Sequence, residues 1–311
     1  MKRLPFRSIS PATITALVCI VAPATLPLAA RAGVGPRAAH AEEVEITVTH
    51  VAGNVHMLTG SGGNIGVSVG RDGILLVDDQ FEPLAPRIRA ALAEIGEGAP
   101  AFVLNTHFHG DHTGGNPVFG KEATIIAHVN VRERLSTSQE VRGETRPPID
   151  ADGWPVITFD ESVHVHFNDE EILVVHAPRG HTDGDAIVYF TGSNVLHMGD
   201  QLFTGHFPYV DLDHGGTVAG YLANIEEVLE MGLPEDVKVI VGHGPLSTLD
   251  DVRAQRDMIE GTVRIVRGRM AAGKSLDQIR QEGLPAQYAS FDWDFIPADT
   301  WVETIHRSYE E

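Results

Sequence analysis

The segment His-Phe-His-Gly-Asp-His at residues 107–112 constrains the fold of this 311-residue chain more than any other. It follows directly on the apolar run AFVLNT, which is typical of a buried β-strand, so four metal-ligand side chains lie within six residues at a strand end. In an extended chain, positions 107, 109 and 111 point to the same side, and Gly110 permits a bend that aims His112 at a neighbouring point. Such a cluster has too many ligands for one open catalytic metal and suits two adjacent ions.

Three later residues have a similar setting. His181 lies in PRGHTDGD after the apolar run EILVVHA, Asp200 ends NVLHMGD, and His243 ends VKVIVGHG. One such residue alone is more often an ordinary loop residue than a ligand. Because strand ends are where sites gather in α/β proteins, the four positions together predict a common site.

Hydrophobic periodicity predicts an α/β chain. Short strand-like runs separated by Gly and Asn fill residues 45–80. Further strands are expected at 162–167, 171–177, 186–191, 194–198 and 237–241, and helices at 82–95, 217–231 and 248–268. Residues 136–155 are polar and rich in Pro, which predicts a long surface loop, and residues 291–311 have no clear pattern. Both halves run from hairpins to a helix, so we expect two units that pack their sheets together with the helices outside.

The HxHxDH segment, the GHT histidine, the GD aspartate and the GHG histidine, in this order and at strand ends, resemble the metallo-β-lactamase superfamily of binuclear metallohydrolases. The resemblance implies an α/β fold of the αββα type, two mixed β-sheets flanked by helices, formed by residues 42–311. The ligand set it implies is His107, His109 and His181 on one metal and Asp111, His112 and His243 on the other, with Asp200 bridging. It also implies that Asp78, in LLVDD, supports the ligands without touching the metals.

The implied chemistry follows from charge. Two Zn²⁺ ions together with Asp111 and Asp200 leave a local excess of about +2, which lowers the pKa of a bridging water toward ~7. The resulting metal-bound hydroxide would attack a polarised carbonyl, so the expected reaction is hydrolysis of an amide, ester, lactone or thioester. Asp111 is the expected catalytic residue that carries a proton to the leaving group. Iron or manganese would suit the same ligands, although the di-iron relatives replace one HxHxDH ligand by Glu.

The sequence constrains the identity of the substrate less than it constrains the type of reaction. Asp200 stands where the dedicated cysteine-containing β-lactamases place a thiolate, and residues 201–216 contain neither Lys nor Arg to hold a substrate carboxylate. An exported enzyme would meet β-lactams, so β-lactamase activity is one expectation, and a lactonase or thioesterase is the alternative. A non-catalytic periplasmic metal-binding protein is a third. Two interpretations are open for Phe203, His206, Phe207 and Tyr209. They form an apolar wall suited to a neutral acyl substrate, or they pack in an ordinary loop.

The N-terminal segment predicts export. Lys2, Arg3 and Arg7 precede an apolar stretch, and Ala39-His40-Ala41 has the form of a signal-peptidase site, so residues 1–41 are interpreted as a removable secretory signal. Prolines interrupt the apolar stretch, which argues against a membrane anchor. The chain's only cysteine lies in this segment, so the mature protein would have no disulfide. We therefore expect a periplasmic or secreted protein that does not bind a membrane after signal removal.

Charge further limits the partners. The chain has 23 Lys and Arg residues against 43 Asp and Glu residues, a formal net charge of −20. Binding to nucleic acid depends on basic residues that displace counterions from phosphates, so a nucleic-acid partner is not expected. The expected partner is a small acyl substrate, and the sequence does not predict the oligomeric state.

Overall fold

Fourteen strands and eight α-helices form the described part of this computed structural model, residues 44–141 and 144–310. The predicted signal segment, residues 1–41, lies outside the described residues. The strands are β1 (Thr47–Ala52), β2 (Val55–Thr59), β3 (Ile65–Gly70), β4 (Gly73–Val77), β5 (Pro100–Leu104), β6 (Thr124–His128), β7 (Gln139–Val141), β8 (Glu144–Arg146), β9 (Ile157–Phe159), β10 (Ser162–Phe167), β11 (Glu170–His176), β12 (Ala186–Phe190), β13 (Val195–His197) and β14 (Lys238–Ile240). The helices are α1 (Ala85–Ile95), α2 (Gly110–Thr113), α3 (Asn116–Phe119), α4 (Val129–Ser136), α5 (Val218–Glu230), α6 (Leu249–Ala271), α7 (Leu276–Glu282) and α8 (Ala298–Ser308).

Two mixed sheets carry the fold. The first has seven strands in the order β1-β2-β3-β4-β5-β6-β9, and the second has five in the order β10-β11-β12-β13-β14. Strands β1 to β4 are antiparallel neighbours, as expected for short turns, whereas β4, β5, β6 and β9 run parallel. In the second sheet β13 and β14 are parallel, and β11 runs in the same direction because both β11 and β13 are antiparallel to β12. The carboxyl ends of these parallel strands therefore meet at one edge of each sheet.

The core lies between the sheets. Leu75, Val77 and Leu104 of the first sheet belong to the same buried cluster as Ile172 and Val174 of the second. Apolar stripes on the helices cover the outer faces: α1 packs on the first sheet, and helices α5, α6 and α8 pack on the second. The layers are therefore helix, sheet, sheet, helix, which confirms the predicted αββα arrangement.

Two sequence-based expectations were wrong or incomplete. Residues 136–155 are not only a loop, because β7 and β8 pair there as a two-stranded hairpin. Strands of three residues are too short to produce a readable period. The C-terminal segment without a clear pattern ends in α8, which buries Trp301 and Ile305 in the core. Among the described helices, none has the combination of length and apolar character that crossing a bilayer requires.

Candidate metal centre

The HxHxDH segment changes conformation in its middle. Strand β5 ends at Leu104, the chain bends at residues 106–108, and His109, with φ −61° and ψ 145°, is the extended residue before helix α2, which starts at Gly110. Asp111 therefore lies on a helical turn rather than an extended chain. The condition under which positions 107, 109 and 111 would point to the same side, an extended chain, is therefore not met, and Asp111 lies with His112 in a different group of candidate ligands.

The first group of ligands consists of three histidines from two strand ends. The Nδ1 atom of His109 lies 3.1 Å from Nε2 of His107 and 2.9 Å from Nε2 of His181. His107 and His181 are buried, whereas His109 is partly exposed. The three nitrogens converge on one point, as three ligands of a single ion do.

The second group joins the helical turn α2 to the end of β14. The Nε2 atom of His243 lies 3.1 Å from Oδ2 of Asp111 and 3.3 Å from Nε2 of His112. These three side chains also bring one ligand atom each to a common point.

Asp200 lies between the two groups. Its Oδ2 atom is 3.5 Å from Nε2 of His181 and 3.6 Å from Nε2 of His243, while its Oδ1 atom is 3.2 Å from Nε2 of His112. The carboxylate is 6% exposed. The structure thus brings together all seven of the residues His107, His109, Asp111, His112, His181, Asp200 and His243, with Asp200 facing both groups.

Hydrogen bonds on the far side of the rings fix two of these imidazoles through Asp78. The Nδ1 atom of His112 donates to Oδ2 of Asp78 at 2.8 Å. The hydroxyl of Thr106 donates to the same oxygen at 2.7 Å, and therefore accepts from Nδ1 of His107 at 3.0 Å. Asp78 is fully buried and lies where a supporting carboxylate was expected.

Two further supports were missed by the sequence analysis. The Nε2 atom of His109 donates to Oδ2 of Asp211 at 2.9 Å, and Nδ1 of His214 donates to the same oxygen at 2.8 Å. The backbone carbonyl of Tyr209 accepts from Nδ1 of His181 at 2.8 Å. Asp211 belongs to the acidic run VDLDH, in which no spacing distinguishes it from the exposed Asp213.

These outer contacts establish that the residues fit a metal. The carboxylates of Asp78 and Asp211 and the carbonyl of Tyr209 only accept, so the proton of each neutral imidazole is on its outer nitrogen. The inner nitrogens of His107, His109 and His181 then carry lone pairs, with that of His109 about 3 Å from each of the other two, and these lone pairs repel unless a cation lies between them. In addition, the buried Oδ1 atom of Asp200 has no hydrogen-bond partner among the described residues. Nitrogen and oxygen donors of this kind suit zinc.

The sequence profile of the metallo-beta-lactamase superfamily matches residues 58–243, the stretch that contains all seven residues. The chain belongs to the metallo-beta-lactamase superfamily. It is 27% identical over 146 residues to a hydroxyacylglutathione hydrolase of Pelagibacter ubique, which is 46% of this chain and 51% of that protein. It is 35% identical over 124 residues to the same type of hydrolase from Rhodospirillum rubrum, which is 39% of this chain and 41% of that protein.

The chain therefore spans about half the length of these curated relatives. Among solved structures, a metallo-beta-lactamase from Pontibacter korlensis superposes with a TM-score of 0.56 at 15% identity, over 70% of this chain and 99% of that one. This similarity supports the superfamily fold.

Charge at this superfamily centre is strongly coupled. Burial lowers the pKa of His181 to about 4. Burial raises the pKa of Asp111, but His112 and the hydrogen bond from His243 outweigh it and lower the pKa to about 2. Burial also lowers the pKa of His243, yet Asp200 and Asp111 outweigh it and raise that pKa. Without a cation, the carboxylates therefore favour a proton on His243, whereas His181 is neutral.

A cavity of about 1000 Å³ opens above the ligands, and His109, Asp111, Asp200 and His243 line its floor. Of the predicted apolar wall, Phe203 and Tyr209 line the cavity. The alternative, ordinary packing, applies to the other two residues: Phe207 is fully buried and packs against Trp301, and the ring of His206 stacks on Trp293 at 4.7 Å. The remaining aromatic lining consists of Phe81, Phe108, Trp293 and Phe295.

Proposed function

We propose that the chain is a hydrolase of acyl bonds, dependent on two zinc ions and acting on an ester or thioester. The observation that carries this proposal is the position of Asp200, whose carboxylate faces both ligand groups at the floor of a cavity. One side chain shared by two groups of three is the arrangement expected of a centre that holds two ions side by side.

The two ions would be held by His107, His109 and His181 and by Asp111, His112 and His243, with Asp200 common to both. When bound, they would supply Lewis acidity and lower the pKa of water in the site. The protein holds the ligand rings in place through Asp78, Asp211 and the Tyr209 carbonyl. Iron or manganese is compatible with the same donors, and metal analysis distinguishes the three.

Asp111 is the residue that we assign to proton transfer. It is partly exposed, lines the cavity and, as an aspartate, is ionised at neutral pH. Its carboxylate can therefore accept a proton from water and pass it to the leaving group. In the balanced reaction, the oxygen of water joins the acyl carbon, the carbon–oxygen or carbon–sulfur bond breaks, and the leaving alcohol or thiol takes the proton.

The substrate class is supported by the curated relatives. Their name, hydroxyacylglutathione hydrolase, denotes an acylated glutathione, and glutathione carries its acyl group on sulfur. The oxygen ligand Asp200 is consistent with this class. Hydrolysis of lactones remains the closest alternative, and β-lactamase activity stays a prediction that the same assays test.

The test is a substrate panel assayed with the zinc-loaded protein: an acyl thioester, an aryl ester, an acyl-homoserine lactone and nitrocefin. We expect turnover of the thioester or ester, and its loss in His109→Ala. His164→Ala is the matched control, because His164 is an exposed histidine on β10 that pairs with Glu171 outside the site. A zinc-loaded protein that hydrolyses none of the four substrates refutes the proposed activity and favours a metal-binding protein without catalysis.

Export is proposed from the N-terminal residues alone. We expect that cells secrete the chain or transfer it to the periplasm and that cleavage after Ala41 leaves Glu42 as the first residue. N-terminal sequencing of the protein recovered from the exported fraction tests this. A full-length protein that stays in the cytosol would contradict it.

A further inference from the structure

Four aromatic side chains form a continuous wall from the ligands to the mouth of the cavity. Phe203, Tyr209, Trp293 and Phe295, called here the aromatic wall, all line the cavity. The ring of Trp293 lies 6.0 Å from that of Phe203 and 5.4 Å from that of Phe295, and the Phe295 ring lies 5.7 Å from that of Tyr209. Such distances are those of interacting aromatic rings.

The wall begins directly at the candidate ligands. The ring of Phe203 is nearly parallel to that of His243, at 6.1 Å and 18°, and the ring of Tyr209 lies 5.9 Å from that of His109 at 29°. A group bound against the wall would therefore be adjacent to an acyl carbon placed over the floor of the cavity.

The wall is held in a fixed position before any ligand binds. The indole Nε1 of Trp293 donates a hydrogen bond to the backbone carbonyl of Phe207 at 3.0 Å. The indole also stacks on the ring of His206, with 4.7 Å between the ring centres. Phe203 is 2% exposed. Because these rings are already ordered, ligand binding would not lose side-chain entropy by arranging them.

The outer end of the wall is unusually exposed. Phe295 is 47% exposed, and across the cavity Phe81 is 39% exposed. Among the described residues, six large apolar side chains are more than about a third exposed, and Phe81 and Phe295 are two of them. Both line the same cavity. Pro83, Leu135 and Ile149 add apolar surface to that space. An exposed apolar surface at a site mouth is typical of a ligand-binding surface.

Half of the wall lies outside the part of the chain that the superfamily profile matches. That match ends at residue 243, whereas Trp293 and Phe295 come from the segment between α7 and α8. This chain thus adds its own C-terminal residues to the cavity, which is where substrate selection rather than the shared chemistry is expected to be encoded.

We propose that the aromatic wall binds a large hydrophobic group on the acyl side of the substrate, so that the preferred substrates are esters or thioesters of arylalkyl or long-chain acids rather than acetyl esters. This inference rests on the proposed function and specifies its substrate. Trp293 and Phe295 are the residues that determine the preference, since they form the half of the wall that lies farther from the ligands.

The activity test compares two thioesters that differ only in the acyl group, acetyl and 4-phenylbutanoyl. In the wild type we expect kcat/KM to be at least tenfold higher for the phenylbutanoyl substrate, because each buried methylene contributes roughly a factor of ten or more. Phe295→Ala and Trp293→Leu should lower this ratio about tenfold. Phe291→Leu is the matched control: Phe291 belongs to the same segment but packs against Phe207 in the core, and it should keep the ratio.

A binding test separates this inference from the proposed function. The neutral alcohol 4-phenyl-1-butanol is the probe, and its contact with the protein is measured by saturation-transfer NMR on the metal-loaded chain. We expect a signal that Phe295→Ala weakens at least fivefold and Phe291→Leu does not. Because Phe295 is exposed, its truncation leaves the fold intact, and circular dichroism verifies this.

Each outcome decides the matter. A probe signal that depends on Phe295 supports the binding of a hydrophobic group by the wall even if no thioester is hydrolysed, in which case the proposed function fails and the wall remains a binding site. Equal rates for the two thioesters, or a probe signal that is unchanged in Phe295→Ala, overturns the inference while leaving hydrolysis established.

Discussion

Asp211 provides the sharpest test of how the protein holds its ligands. One oxygen, Oδ2, accepts from both His109 and His214, at 2.9 Å and 2.8 Å, and the side chain is 5% exposed. In Asp211→Asn the amide oxygen can still accept both hydrogen bonds but without charge, which weakens each by about 1 kcal/mol. Only the bond from His109 involves a candidate ligand, because His214 belongs to neither group, so about 1 kcal/mol acts on zinc binding. Since 1.36 kcal/mol is a factor of ten, the Kd for zinc should rise about fivefold.

Asp211→Ala should have a larger effect, since it removes both acceptors and leaves two buried N–H groups without a partner. We expect the Kd for zinc to rise at least 100-fold, measured by competition with a chromophoric chelator at pH 7.5. The matched control is Asp213→Asn, which makes the same chemical change on the same turn, where Asp213 pairs with Arg307 at the surface. If Asp211→Asn and Asp213→Asn had the same zinc affinity, the role assigned to Asp211 would be refuted.

Two other predictions concern the backbone near Asp200 and the response to acid. A Cβ at residue 242 would lie 1.8 Å from Oδ1 of Asp200, so Gly242→Ala should displace this carboxylate and lower activity at least 100-fold. The control is Gly268→Ala on α6, where an added Cβ meets no neighbouring atom. This variant should stay active and gain about 0.5–1 kcal/mol in its free energy of unfolding. A folded Gly242→Ala variant with normal activity would contradict this. Burial, helped by the stacked ring of His176, lowers the pKa of His128 from 6.5 to about 4. The unfolded chain therefore binds more protons in this range, and the free energy of unfolding, measured with urea, should fall by roughly 2 kcal/mol between pH 6.5 and pH 4. His128→Asn keeps a residue that can cap α4 but does not titrate, so its slope should be smaller; an equal slope would show that His128 is not responsible.

The sequence was sufficient to predict that the seven candidate ligands lie together, because they follow the ends of strands. Each lies within a few residues after an apolar strand, and the parallel course of β4 and β5 and of β13 and β14 brings these ends together. The layers of the fold could be predicted because long helices such as α6 carry an apolar stripe on the one face that is buried.

What the sequence did not predict depends on tertiary contacts. Asp211 and Asp213 have the same local environment in the sequence, and only packing places Asp211 against the ring of His109. Trp293 and Phe295 lie in a segment without periodicity, so their place in the cavity follows from the docking of α8 and not from a local pattern. The helical turn at Asp111 was not predicted because helix α2 is only four residues long.

The central claim is that two groups of ligands share Asp200 and hold two ions. Metal stoichiometry tests it most directly: the chain is saturated with zinc and dialysed, and zinc per chain is measured by plasma mass spectrometry. We predict two equivalents of zinc in the wild type and one in His243→Ala, which lacks a ligand of the second group only. One equivalent or less in the wild type, or two equivalents in His243→Ala, would contradict the claim.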